Sequence, residues 1–185
     1  MLKLTKVSGS TNVKTCKPTD GQVDVCSGAY GANGWLGLAG ISVSGGHITK
    51  GYVKLNDTYF DDPTYNTTEW RNLVMCQEIG HEFGLGHQDE DLGNANLGSC
   101  IDYTSKPEIN QYPNDHDYEL LKEIYSHFDT GDTGGSGPPE GGGPPGRRNS
   151  EWGKAIGSDG EGRPNMFELD LGNGSKELTH VFWAN

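Results

Sequence analysis

One stretch of the sequence, VMCQEIGHEFGLGHQDED at positions 74–91, combines helical spacing with residue types that bind metal ions. Gln77 and His81 stand four positions apart, so on a helix their side chains point to the same side, one turn apart. Glu78 projects beside that pair. Gly84 can adopt a left-handed backbone and end the helix. The spacing therefore predicts a helix that carries two candidate ligands and stops one turn after the second.

His87 follows the predicted turn and can return to the pair from another direction. Imidazole is a common zinc ligand, whereas the Gln carbonyl oxygen is a neutral, harder and weaker donor. We predict a metal site formed by Gln77, His81 and His87, with the Glu78 carboxylate beside it. The alternative is a helix whose two histidines only make hydrogen bonds.

The pattern Gln77-Glu78-x-x-His81-x-x-Gly84-x-x-His87 resembles the extended HExxHxxGxxH signature of metzincin zinc peptidases, with Gln in place of the first His. It is most similar to the matrixin-like secreted bacterial and fungal members that share this Gln. The resemblance covers roughly residues 2–128. It implies a Zn²⁺-dependent metalloendopeptidase that acts on proteins or peptides, with Glu78 as the general base. The alternative is a catalytically inactive relative that binds a peptide or carbohydrate.

A second segment, Ser99-Cys-Ile-Asp-Tyr103, resembles the metzincin turn beneath the zinc, where a Met lies two residues before a Tyr. Ile101 stands at the Met position and can provide the same hydrophobic floor. The resemblance implies that Tyr103 is catalytic, touching the metal or stabilising an oxyanion, or else that it packs. A carboxylate within 88–91 is a candidate to orient His87 or to replace a ligand; an acidic solvated loop is the alternative.

The expected fold is α+β and zincin-like or metzincin-like, with a twisted mixed β-sheet packed on the central helix and on a C-terminal helix. Period-two alternation predicts strands at Leu2–Val7, Trp35–Val43 and Ile48–Asn56. The last resembles the metzincin edge strand, which can bind an extended peptide by strand addition; an ordinary strand of the sheet is the alternative. Capping patterns place the start of the central helix at Asn66 and that of the C-terminal helix at Asn114.

Composition divides the chain into three parts. Residues 1–130 are the expected metzincin-like catalytic domain, and 131–147 form a Gly/Pro-rich linker. Residues 148–185 are a small C-terminal β-hairpin segment, with strands predicted at Met166–Leu171 and Glu177–Trp183. A segment this short rarely forms a dependable core alone, so we expect it to dock on the main domain or on another chain.

Four cysteines in a Gly-rich chain predict two disulfides and an oxidising, extracellular compartment. Cys16 and Cys26 bracket a polar loop and form one expected pair. The other pair, Cys76 and Cys100, would tie the metal helix to the turn beneath it; a thiolate zinc ligand at Cys76 is the alternative. The first four residues show no apolar signal region, so secretion implies a leader upstream of the sequence.

Net charge and hydropathy exclude several partners. A net charge of −12 argues against nucleic acids and anionic membranes. No stretch is long and apolar enough to predict a membrane span. Ca²⁺ is a second candidate ion, at Asn56–Asp57 and Asp61–Asp62, but no EF-hand spacing is present and turn and cap chemistry explains these residues better.

Overall fold

A six-stranded mixed sheet organises the chain. The computed structural model describes residues 4–9, 11–126 and 152–184. The strands in chain order are β1 (Val23–Gly28), β2 (Trp35–Ser44), β3 (His47–Asn56), β4 (Lys154–Ser158), β5 (Pro164–Gly172) and β6 (Ser175–Trp183). They lie in the order β1-β3-β2-β6-β5-β4, and every neighbouring pair is antiparallel except the parallel pair β1–β3. The α+β class expected from the sequence is confirmed, whereas its zincin or metzincin kind stays a prediction.

Three helices complete the described fold. They are α1 (Asp57–Phe60), α2 (Thr68–Glu82) and α3 (Asp115–Ile124), with a short 3₁₀ turn at Pro107–Ile109 between the last two. None of the described helices has the length and apolar character required to cross a membrane. The central helix α2 lies against the sheet, and the strands must leave room for its buried side chains.

The central helix has the predicted form but begins one residue later than predicted. Thr67, not Asn66, is its N-cap, and the Thr67 side chain accepts a hydrogen bond from the amide of Trp70 at 3.2 Å. Asn66 instead belongs to the preceding turn, where its amide donates to the Asp62 carbonyl at 2.9 Å. Gly84 has a φ of 86° and follows the helix end, as the sequence predicts. Asn114 caps α3 through a capping box, also as predicted.

Two strands were predicted well, and β2 and β3 confirm them. The interpretation of the second as an edge strand is wrong, because β3 lies between β1 and β2. The strand predicted at Leu2–Val7 is also wrong over its described part. Residues 4–9 pair with no strand, and Leu4 and Val7 are each 64% exposed.

The strand β1 was missed because its inward face carries polar and sulfur atoms. Asp24 and Cys26 are buried, whereas Val25 between them is 48% exposed. The Asp24 carboxylate accepts a hydrogen bond from the Thr19 amide at 2.8 Å, which compensates its burial. Buried and exposed residues therefore alternate along β1, as in an ordinary strand. The pattern is hard to recognise because a buried position holds Asp24 and an exposed position holds Val25.

The predicted C-terminal hairpin forms from β5 and β6 and docks on the main sheet. Strand β6 pairs antiparallel with β2 from Trp35↔Trp183 to Ser44↔Ser175. An apolar cluster on one face fastens the hairpin; its buried members are Trp35, Leu38, Trp152, Phe167 and Val181. The domain boundaries stay predictions, since a shared sheet does not tell which segments fold independently. The predicted linker at 131–147 lies outside the described residues.

Both predicted disulfides are present. Cys16 pairs with Cys26 and Cys76 with Cys100, at Cα separations of 6.0 and 5.8 Å. Pairing removes Cys76 from the candidate metal ligands, so the alternative of a thiolate ligand is wrong. The second disulfide joins α2 to the Ser99–Tyr103 turn, as expected.

Glycines on β2 and β3 let α2 approach the sheet closely. A Cβ at Gly37 would lie 2.5 Å from Val74 and 2.9 Å from the Glu78 carboxylate. At Gly51, a Cβ would overlap Oε2 of Glu82, which is 1% exposed. These strand positions therefore accept no side chain while the two glutamates keep their places.

We expect Gly51→Ala to lower the free energy of unfolding by about 1–3 kcal/mol, the usual cost of overpacking a core. Gly86→Ala is the matched control, because a Cβ there meets nothing within 4 Å. Urea denaturation of both variants measures the difference. Equal stability of the two variants would show that Glu82 moves aside freely.

Candidate metal centre

Three imidazoles from distant parts of the chain meet beside the end of α2. His81 is on α2, His87 follows the Gly84 turn, and His180 is on β6. If one nitrogen is taken from each ring, these three nitrogens lie within 4.8 Å of one another. The ring centroids are 4.1–4.7 Å apart. These three residues form a group that could hold a metal ion.

Hydrogen bonds orient two of the rings. Nδ1 of His81 lies 2.8 Å from the Leu85 carbonyl oxygen, and Nδ1 of His87 lies 2.8 Å from Oε1 of Glu90. Because these oxygens accept, Nδ1 carries the proton and the Nε2 lone pair is directed at the other ring. Glu90 is thus the orienting carboxylate that the sequence suggested within 88–91.

The spacing of the two oriented nitrogens suits a metal ion. The Nε2 atoms of His81 and His87 are 3.0 Å apart. Two nitrogens on a tetrahedral ion with bonds of about 2.0–2.1 Å lie about 3.3 Å apart. A shift of a few tenths of an ångström would bring these two nitrogens to that separation.

The third ring, His180, is paired with Glu78. Its Nδ1 lies 3.1 Å from Oε2 of Glu78, and both side chains are almost fully buried. Burial, followed by the charge of nearby Glu82, raises the pKa of Glu78 well above its usual range. Burial, followed by the neighbouring His81 and His87, lowers the pKa of His180 well below its usual value. The pair is a neutral imidazole beside a carboxyl group that holds its proton strongly.

Gln77, the predicted first ligand, contacts the same group. Its Nε2 atom lies 2.9 Å from Nε2 of His87. Its Oε1 atom is buried and, within the described part of the chain, has no hydrogen-bond partner. Turning the amide over would bring the oxygen to the nitrogen's position. The structure thus brings Gln77, His81 and His87 together, and the Gln77 amide oxygen could serve as a further metal ligand.

Tyr103 also reaches the centre, as predicted, but its hydroxyl is already engaged. It lies 3.4 Å from Nε2 of His180 and accepts a hydrogen bond from Nδ2 of Asn165 at 3.0 Å. The ring stacks on Phe182 with centroids 5.7 Å apart. Burial raises the pKa of Tyr103 far above its usual value, so the group is a neutral phenol.

Ile101, at the position where the resemblance implies a hydrophobic floor, packs against α2. It is fully buried, and its Cδ1 atom lies 2.5 Å from where a Cβ of Gly80 would be. The Ile101 carbonyl accepts a hydrogen bond from the amide of Gln88 at 2.8 Å. This bond ties the floor to the residue that follows His87.

His180 is the functional residue that sequence reasoning missed. It lies in KELTHVFW, at the middle of the segment Glu177–Trp183 that was predicted only as a strand of the hairpin. A single His within an apolar strand is a weak signal by itself. Only the pairing of His180 with Ala39 of β2 brings it to the metal helix, and that register is not visible in the local sequence.

The residues proposed for Ca²⁺ act as caps and turns. Asn56 caps α1, and its amide also donates to the carbonyls of Gly31 and Trp35 at 3.0 and 3.1 Å. Asp62 accepts a hydrogen bond from the Thr64 amide at 2.9 Å. The turn and cap alternative therefore accounts for both residues, and a calcium role stays a prediction.

Comparison of the chain with protein-family models, with curated proteins and with solved structures found no match. The resemblance to metzincins therefore depends on the residues of the motif and on the turn at 99–103. The arrangement of side chains at the site provides the remaining support for a function.

We expect Glu90→Ala to weaken the binding of a divalent transition metal by about 10–100-fold, because His87 loses the partner that fixes its ring. Titration with Co²⁺, followed by absorption, measures the affinity. Glu123→Ala, on the exposed face of α3, is the matched loss of a carboxylate. Equal affinities in the two variants would contradict an orienting role.

Proposed function

We propose that the chain is a zinc-dependent endopeptidase of the metzincin kind. The observation that carries the proposal is the convergence of His81, His87 and His180 beside the carboxyl group of Glu78. Three imidazoles next to a buried carboxyl and a phenol match the residue types that hydrolysis by a zinc peptidase requires. The sequence motif, which contains Glu78, His81 and His87, supports the same assignment.

Zinc is the ion that this ligand set favours. Neutral imidazole nitrogens suit Zn²⁺ well, whereas Ca²⁺ prefers six to eight oxygen ligands. Burial, followed by the charge of His87, lowers the pKa of His81 to about 3, so this ring is neutral at physiological pH. We propose His81, His87 and His180 as the ligands, with the Gln77 amide as a weaker donor beside them.

The remaining groups divide the proton chemistry between them. Zinc, when bound, supplies Lewis-acid chemistry that polarises a peptide carbonyl and makes a water molecule more acidic. In its ionised form, Glu78 accepts the proton of the attacking water and later delivers it to the leaving amine. Its raised pKa makes its ionised form a stronger base than an exposed carboxylate. The Tyr103 hydroxyl is the donor for the developing oxyanion.

A second candidate is a metal-stabilised protein without catalysis, which binds a peptide or carbohydrate. The burial of the site favours it: Gln77 and Glu78 are 0% exposed, and the His87 side chain is 5% exposed. Three imidazoles and one amide oxygen would complete a closed, four-coordinate zinc site. The two candidates differ in whether any form of the protein hydrolyses peptide bonds.

We also propose that the protein is secreted. Two disulfides close loops in the described chain, and such bonds persist in oxidising compartments. A peptidase of this kind would meet protein substrates outside the cell.

We expect His180→Ala to weaken zinc binding by at least about 100-fold, since it removes a ligand and not merely an orienting group. His116→Ala, an exposed residue of α3, is the matched control. Competition with a zinc-binding dye measures both affinities. Unchanged affinity in His180→Ala would show that Gln77, and not His180, completes the ligand set.

We expect Glu78→Gln to lower peptide hydrolysis by about 10²–10⁴-fold, the usual contribution of a general base. The amide oxygen can still accept from Nδ1 of His180, so zinc affinity should change by less than the hydrolysis rate. Hydrolysis of a quenched fluorescent peptide, together with the zinc titration, separates the two effects. Full hydrolysis in Glu78→Gln would refute the assigned role.

A further inference from the structure

The side of β2 nearest the metal centre is covered by the chain's own C-terminal strand. Along it, β6 pairs antiparallel with β2 through most of the ten residues of β2. Without β6, this side of β2 would present a row of unpaired amides and carbonyls next to His81 and Glu78. Such an edge binds an extended peptide by strand addition. We propose that β6 is an intramolecular plug, which lies where a peptide in trans would bind; the inference rests on the proposed peptidase function.

The side chains of the hairpin engage the catalytic groups one by one. His180 lies 3.1 Å from Glu78 through Nδ1 and 3.4 Å from the Tyr103 hydroxyl through Nε2. Asn165, on β5, donates to the same hydroxyl at 3.0 Å. The proposed base and the proposed oxyanion donor are therefore both occupied by the last two strands.

The hairpin is held by apolar packing but carries unpaired polar atoms. Phe167 is 2% exposed and Val181 is 0% exposed, within the cluster that fastens the hairpin to β2. Oδ1 of Asn165 and Oγ1 of Thr179 are buried, and the described residues offer them no hydrogen-bond partner. Burying each such atom without a partner costs free energy. The apolar packing therefore holds the hairpin on β2. Release of the hairpin would let the two unpaired polar atoms bond to water, which would recover the free energy lost by burying them.

Released, the β2 edge takes an extended polypeptide that runs antiparallel to it. The backbone supplies most of the recognition, so the ligand class is an unfolded or extended protein segment. The residue opposite Ala39, which is His180 in the closed form, is the one whose side chain enters the site. A peptide that carries His at this position is therefore the best competitor for the plug.

A cross-strand tether tests the closed form directly. Ser44 and Ser175 are opposite each other in the register, and their Oγ atoms are 3.1 Å apart. The double variant Ser44→Cys/Ser175→Cys should form a disulfide that fixes β6 on β2. We expect the tethered, zinc-loaded full chain to hydrolyse a quenched fluorescent peptide at least tenfold more slowly than the parent. Each single variant, which cannot form the tether, is the control.

Two variants loosen the hairpin by different means. Phe167→Ala removes apolar packing, and Asn165→Ala removes only the hydrogen bond to Tyr103. We expect each to raise hydrolysis at least tenfold in excess zinc, which His81, His87 and the Gln77 amide oxygen would hold once His180 withdraws. We also expect Phe167→Ala to bind the fluorescent peptide SKELTHVFW, the sequence of residues 175–183, at least tenfold more tightly than the parent. The same peptide with Ala in place of His should bind less tightly.

The outcomes separate the plug from the peptidase. Binding of SKELTHVFW by Phe167→Ala, with no hydrolysis in any form, would support the plug and refute the peptidase. Hydrolysis that is equal in the parent, tethered and loosened proteins would overturn the plug and leave the peptidase standing. If Phe167→Ala fails to fold, Asn165→Ala and the tether decide the plug by the same comparison of hydrolysis rates.

Discussion

The structure depends on how α2 buries polar side chains. Gln77, Glu78, His81 and Glu82 are all at most 6% exposed, although they occupy one helix and belong to polar residue types. Burying such groups costs free energy unless each finds a partner. Within the described residues, one oxygen each of Gln77, Glu78 and Glu82 remains without one. Other parts of the fold provide hydrogen-bond partners for the polar side chains on this helix face.

The sheet makes room for that helix face by having glycine at the positions of closest contact. Gly37 and Gly51 leave room for the two glutamates, and the amide of Gly40 donates to Oε1 of Glu82 at 3.1 Å. Glycine in a strand interior weakens the strand, so its presence on neighbouring strands indicates a close approach that another residue would block. The close approach of α2 to the sheet also fixes His81, which is buried on the same helix between the two glutamates.

Local spacing in the sequence predicted the parts of the site that are local. The helix, its end at Gly84 and both disulfides follow from offsets of a few residues or from the count of cysteines. The position of Tyr103 was expected only from the resemblance of its turn. Non-local pairing decided the rest. The interior position of β3 depends on β1, whose inward face is polar. Likewise, the approach of His180 depends on a register between strands more than a hundred residues apart in the chain. Neither relation leaves a trace in a short window of sequence.

The missing first histidine and the presence of His180 are two aspects of one arrangement. Gln77 offers only a weak donor where the motif expects an imidazole, and His180 brings an imidazole to the same group from β6. An ion held by His81, His87 and His180 would bind more tightly to the protein with the hairpin docked than to the protein with the hairpin released. By linkage, the bound ion would stabilise the docked state by the same free energy. Metal affinity and hairpin release would then oppose each other. A peptide that displaces β6 must compete with the ion's contribution to docking as well as with the apolar cluster around Phe167.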